Sequence, residues 1–348
     1  MPKTLRNKYY KYLTYEKLME AHIKSRKGKG YRKEIINFNL KQEEYIMYLL
    51  DKLKKKTYKH GGYQVFYIKE PKVRKIEKSR YIDRVVHTWL VDNFLEPTFV
   101  PQFLNTSYAC LKKRGMHKAC LDLQKAMKHC KRIWDKYYVL KMDVSKYFDN
   151  INKEVLLNIL KKKIKDEDLM WLIKEILYTQ KREKGLEIGN YTSQIFANIY
   201  LNEVDMYIKH VLKVKYYFRY MDDSVILVKT KEEAKTLLEK IKIFLKENLK
   251  LELNKKTQIF KNKQGVNFCG YKINEYRLKI RDKGKRKLKK KIKYLKEEIK
   301  RGNLTSKEAK KYLTGHMGYI KIANTYNLEQ KLFYTEETQY NKNILNQG

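Results

Sequence analysis

Residues 216–228 read YYFRYMDDSVILV and place two adjacent aspartates between two apolar runs. The pattern predicts two strands joined by a tight turn, with Asp222 and Asp223 at its tip and apolar cover on both faces. Two neighbouring carboxylates are a poor choice for a two-residue hairpin, because like charges repel and such turns favour Asn-Gly or Asp-Gly. We therefore expect a cation here, and Mg²⁺ takes carboxylate oxygens together with substrate phosphates as ligands.

A third carboxylate of this kind occurs in residues 137–149, YYVLKMDVSKYFD, where an apolar strand ends at Asp143. If the two strands are neighbours in one sheet, the three carboxylates meet at one end of it. They can then hold two metal ions roughly 3.5–4 Å apart, an arrangement that serves phosphoryl transfer. The alternative is that these are solvated turn aspartates. YMDD by itself does not decide the matter, whereas the matching context of Asp143 favours the metal site.

The composition predicts a polyanionic partner. The chain carries 80 Lys and Arg against 39 Asp and Glu among 348 residues, a formal net charge of +41. Nucleic acid is the first candidate for such a partner. A genomic base bias would explain the preference for Lys over Arg, but it would not explain the excess of positive charge. The length allows a large core that divides into subdomains.

No apolar run in the sequence is long enough to span a bilayer, and the first residues are basic without an apolar core. We therefore expect no membrane partner and a cytoplasmic protein. The four cysteines lack CxxC spacing, which predicts reduced thiols rather than a zinc site or a disulfide framework.

Two features suit an incoming nucleotide. Lys69 and Arg74 stand on either side of Pro71, which predicts a turn that lets two fixed cations meet a triphosphate. In so basic a chain, two cations prove little by themselves. Phe148 is a rigid aromatic five positions after Asp143, placed to lie under the sugar and exclude a 2′-hydroxyl. The alternative for a lone Phe is a core position.

Residues 185–194, GLEIGNYTSQ, predict a glycine-punctuated loop that leads into a helix. Glycines let the backbone approach a ligand closely, and a helix start offers free N–H groups to an anion or a base. A simple strand-to-helix turn would look similar. Farther along, residues 285–301 predict a lysine-rich helix that packs one apolar stripe and leaves its other face to a duplex backbone.

Five elements follow one another in a set order: Asp143, GNYTSQ at 189–194, YMDD at 220–223, LNKKT at 253–257 and FCGY at 268–271. In order and spacing they resemble the motifs of reverse transcriptases of the bacterial, group II intron-like lineage, over residues 63–328. Within that lineage the chain looks most like the enzymes of diversity-generating retroelements. Three stretches carry this closer resemblance: RYIDRVVHTWL with EPTFVPQF and SYACLKKRGMHKA, IGNYTSQIFANIYLNEVD, and YLTGHMGYIKIANTYNL.

The resemblance implies an α+β right-hand polymerase of fingers, palm and thumb, with an antiparallel palm sheet that carries the catalytic carboxylates. It implies three domains. Residues 1–136 form N-terminal helices and fingers, residues 137–280 form the palm with a helical fingers/palm segment at 153–192, and residues 281–348 form the thumb and a short tail.

The resemblance also implies roles for single residues. The catalytic residues would be the three aspartates and Lys256, which would protonate the pyrophosphate leaving group. The ligands of two Mg²⁺ ions, for which Mn²⁺ can substitute, would be Asp143, Val144, Asp222 and Asp223. The nucleotide would be bound by Lys69, Arg74, Phe148 as the steric gate, Ile188, Gly189 and Gln194. The primer grip would be Phe268, Cys269, Gly270 and Tyr271. The thumb contacts to nucleic acid would be Lys285, Arg286, Lys289, Lys290 and Lys293.

The loop departs from the common pattern, since most reverse transcriptases carry Gln and Pro where this chain has Ile188 and Gln194. In the diversity-generating enzymes, the I-G-x-x-x-S-Q pattern accompanies low fidelity opposite template adenines. The implied function is error-prone cDNA synthesis from dNTPs in mutagenic retrohoming. The implied partners are a structured template RNA, the RNA/cDNA duplex and a small basic accessory protein oligomer.

Two alternatives stay open. A retron-like or phage-defence reverse transcriptase would share every catalytic residue, so that only the genomic neighbourhood separates it from the first hypothesis. A maturase-like RNA-binding scaffold with dispensable catalysis would have no need to keep three crowded carboxylates, and their presence argues against it.

Overall fold

The computed structural model describes residues 4–69 and 73–333. The predicted turn at Pro71 and residues 334–348 of the predicted tail lie outside this part of the chain. The fold divides into two compact units, each assembled from three segments of sequence. Unit 1 comprises Met1–Lys113, Lys141–Ser224 and Lys235–Gln258, and unit 2 comprises Arg114–Leu140, Val225–Ala234 and Ile259–Gly348.

Helices form the first part of unit 1. The first four are α1 (Tyr9–Tyr12), α2 (Tyr15–Arg26), α3 (Lys33–Leu40) and α4 (Gln42–Lys54). The Thr14 hydroxyl accepts the N–H of Lys17 (3.3 Å) and so caps α2 at its start. Asp166 accepts the N–H groups of Lys8 (2.7 Å) and Tyr9 (2.9 Å), which fastens the start of the chain to a later part of the same unit.

A two-stranded antiparallel hairpin follows, made of β1 (Tyr63–Ile68) and β2 (Arg74–Ser79). Its register places Tyr63 opposite Ser79 and Ile68 opposite Arg74. β1 is exposed along almost its whole length, whereas the second half of β2 is mostly buried. The hairpin is therefore anchored through β2.

The next helical part runs through α5 (Tyr81–Leu90), a π-helical stretch (Val91–Leu95), α6 (Glu96–Phe99), a 3₁₀ turn (Val100–Gln102) and α7 (Met116–Trp134). α5 is buried on nearly every side. The indole N–H of Trp89 donates to the carbonyl of Tyr12 (2.8 Å), which joins α5 to the N-terminal helices.

The central sheet has four strands in the order β4-β5-β3-β6. They are β3 (Tyr138–Asp143), β4 (Tyr216–Tyr220), β5 (Asp223–Val228) and β6 (Gln258–Lys261). β4 and β5 are buried along almost their whole length, which confirms the predicted cover on both faces. The turn between them consists of Met221 and Asp222, and Asp223 already opens β5. The tip of the hairpin thus lies one residue before the predicted position.

The helices that follow β3 and β5 are α8 (Tyr147–Asn150), α9 (Lys153–Lys161), α10 (Glu167–Leu177), α11 (Tyr191–Met206), a π-helical stretch (Tyr207–Val211) and α12 (Lys231–Leu249). The Asn152 side chain accepts the N–H of Val155 (2.9 Å) and caps α9. α11 is buried around most of its circumference, so it is a central helix of unit 1.

The C-terminal part of unit 2 contains a three-stranded antiparallel sheet and three helices. The strands, in the order β7-β8-β9, are β7 (Val266–Phe268), β8 (Tyr271–Ile273) and β9 (Leu278–Ile280). The helices are α13 (Asp282–Lys300), α14 (Ser306–Lys321) and α15 (Tyr326–Phe333). α13 buries Leu288, Ile292 and Leu295, which confirms the predicted apolar stripe. Within the described ranges, no helix is long and apolar enough to cross a membrane.

Candidate active site

Two of the three predicted aspartates come together at one end of the central sheet. Asp143 is the last residue of β3, and Asp222 lies in the turn that leads into β5, the neighbour of β3. Burial, and after it the carboxylate of Asp143, raise the pKa of Asp222 to about 6. The two carboxylates are therefore close enough for their charges to repel.

Asp223 is held differently, because its carboxylate forms an ion pair with the ammonium group of Lys141. Lys141 precedes Asp143 by two positions, so both side chains leave β3 on the same face. Among residues 4–69 and 73–333, no group of three or more His, Cys, Asp or Glu side chains lies ready to hold a metal ion. Asp223 is thus held in an ion pair with Lys141, while its charge still contributes to the raised pKa of Asp222.

A divalent cation nevertheless fits the donor set. Asp143 and Asp222 offer hard oxygen ligands, and a cation between them relieves the repulsion that raises the pKa of Asp222. Asp223 would join these ligands by exchanging Lys141 for the metal. Val144, the remaining predicted ligand, directly follows β3. It is buried and forms an isolated antiparallel β-bridge with Leu253.

The LNKKT segment is fastened to the end of β3 by backbone hydrogen bonds. The N–H of Asn254 donates to the carbonyl of Asp143 (2.7 Å), and the N–H of Ser145 donates to the carbonyl of Glu252 (2.9 Å). The side chain of Asn254 then accepts the N–H of Lys256 (3.0 Å). The exposed Lys256 is thereby tied to the strand end that carries the first aspartate.

The two predicted triphosphate ligands lie at the same end of the β1–β2 hairpin. Arg74 opens β2 opposite Ile68, and Lys69 follows Ile68 directly; both cations are exposed. Burial and Asp143 dominate the raised pKa of Asp222, and the guanidinium of Arg74 acts against them. The structure therefore brings Arg74 within electrostatic reach of the carboxylates.

The loop before α11 is held between two segments of unit 1. On one side, the N–H of Leu186 donates to the carbonyl of Phe148 (2.8 Å). On the other side, the carbonyl of Ile188 accepts the N–H of Glu77 on β2 (2.9 Å). Phe148 is half-buried and meets the ring of Tyr147 edge-on, with 5.6 Å between the centroids. The predicted sugar gate and the predicted nucleotide loop are thus neighbours.

Asn190, which is 2% exposed, fixes this loop onto β2 with its side-chain amide. Its oxygen accepts the N–H (3.0 Å) and the hydroxyl (2.5 Å) of Ser79. Its nitrogen donates to the carbonyls of Glu77 (2.9 Å) and Glu187 (3.3 Å). All four hydrogen bonds are internal, so Asn190 acts as a structural clamp of the loop.

The clamped loop also requires a glycine at position 189. Its φ of 123° lies in a region that favours glycine, and a Cβ atom would lie 2.9 Å from Cγ2 of Ile76. Ile188 is half-buried beside it, and Gln194 follows in the first turn of α11 with a half-buried side chain. The predicted nucleotide-binding residues of this loop therefore share one rigid support.

Sequence reasoning missed a buried network beneath the YMDD turn. Arg219, in β4, is 1% exposed. Its Nε donates to both carboxylate oxygens of Asp205 (2.8 and 3.0 Å), and its Nη2 donates to Oδ2 of the same carboxylate (2.6 Å). Its Nη1 donates to the carbonyl of Met221 (3.0 Å) and to Oδ1 of Asn198 (3.1 Å). The hydroxyl of Tyr217 also donates to Asp205 (2.6 Å).

The network supports the catalytic turn from α11. Burial opposes the charge of Arg219, but Asp205 outweighs it and raises the pKa of the guanidinium. Met221 holds a left-handed backbone conformation (φ 55°), and its carbonyl is fixed by Arg219. The signal was present in the sequence, because an arginine in a strand covered on both faces requires a buried anionic partner.

The predicted primer grip belongs to unit 2. Cys269 and Gly270 form the turn between β7 and β8, with φ of 47° and 87°. Phe268 and Tyr271 are 1% and 0% exposed, so their side chains are core residues. Tyr271 stacks on Tyr319 (5.2 Å between centroids) and donates its hydroxyl to the Tyr319 carbonyl (3.1 Å). For contact with a primer, the structure offers the half-buried turn rather than the two aromatic rings.

The predicted thumb cations are spread along α13. Lys285 is half-buried and lies 3.5 Å from the carboxylate of Asp282. The other four are exposed, namely Arg286, Lys289, Lys290 and Lys293.

Carboxylates at one end of a sheet, with the guanidinium of Arg74 in electrostatic reach, suit metal-dependent phosphoryl transfer. The model of the reverse transcriptase (RNA-dependent DNA polymerase) family matches residues 28–273, and the chain belongs to this family.

Two of the curated relatives are named as intron proteins. The chain is 25% identical over 305 residues to the group II intron-encoded protein LtrA of Lactococcus lactis subsp. cremoris, covering 66% of this chain and 50% of that protein. It is 22% identical over 278 residues to the COX1/OXI3 intron 2 protein of Saccharomyces cerevisiae, covering 61% of this chain and 31% of the relative. The chain thus spans half or less of the length of these two relatives.

A solved structure confirms the predicted fold class. Telomerase from Candida tropicalis, in complex with a TWJ fragment of telomeric RNA, aligns with 86% of this chain and 60% of its own, with a TM-score of 0.53 and 12% identity. A likeness at this identity concerns the fold. The chain is an α+β right-hand polymerase whose sheet carries the aspartates.

Proposed function

We propose that this protein is an RNA-directed DNA polymerase that makes cDNA from dNTPs on a structured RNA, within a diversity-generating retroelement. The observation that carries the polymerase activity is the meeting of Asp143 and Asp222 at one end of the sheet, with the guanidinium of Arg74 in electrostatic reach. A formal net charge of +41 suits the RNA and the RNA/cDNA duplex as partners.

In this proposal Asp143, Val144, Asp222 and Asp223 hold two Mg²⁺ ions, and Mn²⁺ can replace them. When bound, the ions activate the attacking oxygen and stabilise the leaving one. The chain's own part is to crowd the carboxylates in a half-buried site, which favours cation binding. Lys141 neutralises Asp223 through their ion pair, and Asp223 would leave this pair to serve as a metal ligand.

The remaining site residues hold the nucleotide. Arg74 and Lys69 bind the triphosphate, Arg74 through paired N–H groups and Lys69 as a point charge. Lys256 gives a proton to the departing pyrophosphate. Phe148 packs under the sugar, and its backbone bond to Leu186 keeps the gate beside the nucleotide loop.

Ile188 carries the error-prone part of the proposal. Its side chain cannot hydrogen-bond, so this part of the pocket only packs against the nucleotide. It therefore contributes less binding free energy that depends on correct alignment of the nucleotide. Losing about 1.4 kcal/mol of discrimination raises the error about tenfold. The backbone of Ile188 is fixed by Glu77, so the effect belongs to the side chain and not to a mobile loop.

Two experiments test these steps. Purified protein should extend a DNA primer annealed to a defined RNA, and a chelator should stop the reaction; no extension with either Mg²⁺ or Mn²⁺ would contradict the polymerase assignment.

Sequencing of the cDNA should show frequent errors at template adenines, reduced by Ile188→Gln. Leu186→Met, a volume-conserving change in the same loop, serves as the control and should leave the error pattern unchanged. Uniformly low error in the parent protein would refute the mutagenic role while leaving reverse transcription intact.

A further inference from the structure

Unit 2 contains a cavity of about 1400 Å³ that the active site does not use. Residues of β9, α13, α14 and α15 line it. Its volume exceeds the roughly 300–1,000 Å³ of pockets that bury one small molecule. A segment of a polymer is therefore the ligand that its size suits.

The lining is strongly basic. It includes six cations against two carboxylates, and the six are Arg277, Lys279, Lys285, Arg286, Lys289 and Lys321. Both carboxylates are already engaged, since Asp282 lies 3.5 Å from Lys285 and Glu329 accepts the hydroxyl of Thr325 (2.5 Å). The net charge of the lining favours a polyanion.

The cavity also has an apolar component. Ile280 and Ile320 are buried in its wall, and Met317 and Leu328 add further apolar surface. Tyr326, at the start of α15, is 74% exposed and contributes a free aromatic ring. Exposed cations beside apolar and aromatic surface are the combination that binds unpaired nucleotides, because phosphates pair with the cations while bases stack on the rings.

A duplex does not match this lining. Its outer surface presents riboses and phosphates, so the buried apolar wall would gain nothing from it. We propose that the cavity binds an unpaired segment of RNA. The inference rests on the proposed function in one respect, that RNA is the polyanion which this protein handles.

The cations of α13 therefore fall into two sets. Lys285, Arg286 and Lys289 line the cavity and bind the unpaired strand in this proposal, whereas Lys296 and Lys300 are exposed outside the cavity. The two sets lie on one helix and carry the same charge. They provide a matched pair of variants.

The test compares an unstructured 12-nucleotide RNA with a blunt RNA/DNA duplex, by fluorescence anisotropy at several salt concentrations. The cavity variant Arg286→Gln/Lys289→Gln should bind the single strand at least tenfold more weakly, with a salt slope smaller by about 1.4, since each phosphate on a single strand contributes about 0.7. The control variant Lys296→Gln/Lys300→Gln should keep single-strand binding within twofold. Tyr326→Ala should weaken single-strand binding about tenfold and leave the duplex within twofold.

Equal losses in the two double variants would overturn the proposal, because they would show diffuse attraction to the whole helix. An unchanged affinity of Tyr326→Ala for the single strand would overturn it too. So would RNA affinity that is the same in the cavity variant and the parent, if an acidic, apolar peptide binds the cavity instead. Circular dichroism melting within two degrees of the parent verifies that each variant is folded. Primer extension on a pre-annealed template is measured in parallel. If the protein shows this binding pattern but no polymerase activity, the proposed function is refuted while the cavity site stands.

Discussion

Replacing Asp205 by Asn should destabilise the protein far more than the loss of an ordinary salt bridge. Asp205 accepts three contacts from Arg219 and one from Tyr217, all buried. Asn keeps one acceptor oxygen and turns its N–H groups toward those of the guanidinium. Hydrogen bonds to a charged group contribute about 1.5–3 kcal/mol each, so the loss of two costs about 3–6 kcal/mol, a range that includes the cost of about 3–5 kcal/mol for other broken buried pairs.

The assay is equilibrium unfolding in urea, with Glu239→Gln as the matched control. Glu239 pairs with Lys242 at 2.7 Å, but both side chains are solvent-exposed, so this change should cost at most about 1 kcal/mol. The urea midpoint of Asp205→Asn should fall by roughly 0.7–1.7 M more than that of the control, because the difference of about 2–5 kcal/mol is divided by an m-value of about 3 kcal/mol/M. Equal midpoints for the two variants would refute the role assigned to the buried pair.

A combined replacement separates stability from positioning. Asp205→Leu/Tyr217→Phe/Arg219→Met replaces the ion pair, and the hydroxyl that donates to it, by apolar side chains, and such exchanges are often neutral for stability. The carbonyl of Met221 nevertheless loses its donor. Primer extension should therefore be slower than in the parent protein, although the urea midpoint returns toward the value of the parent. Recovery of both stability and extension would show that Arg219 does not position the YMDD turn.

Two further predictions concern the nucleotide pocket. Phe148→Ala should admit ribonucleotides, lowering the preference for dNTP over rNTP at least about tenfold; unchanged discrimination in a folded variant would remove Phe148 from the site. Gly189→Ala combines backbone strain with a 2.9 Å contact to Ile76, so it should raise KM for dNTP and lower stability by about 1–3 kcal/mol. Gly28→Ala, at φ 70° in open space, is its control and should leave KM unchanged.

The sequence predicted those features that depend on local patterns. Apolar runs placed Asp143 at the end of one strand and Asp222 beside another, and an apolar stripe placed α13. Order and spacing of short motifs then indicated the fold class, which the structure and the family match confirm. The division into three domains stays a prediction.

The features that sequence reasoning missed are contacts between distant parts of the chain. Lys141 reaches Asp223 across 82 positions, and no local pattern marks that pair. The burial of Phe268 and Tyr271 depends on the register of β7 and β8, which a single motif does not specify. Arg219 was visible as a charge within an apolar strand, but its partner Asp205 lies on another element.

The most direct test of the central claim is primer extension on RNA by Asp222→Asn. The change removes one of two repelling, half-buried carboxylates, so the variant should be at least as stable as the parent and should bind RNA within about twofold. Asp51→Asn, a surface carboxylate paired with Lys55, is the control and should retain full activity. The account predicts that Asp222→Asn extends at least about 1,000-fold more slowly, a loss of about 4 kcal/mol of transition-state stabilisation. Extension near the rate of the parent would contradict it.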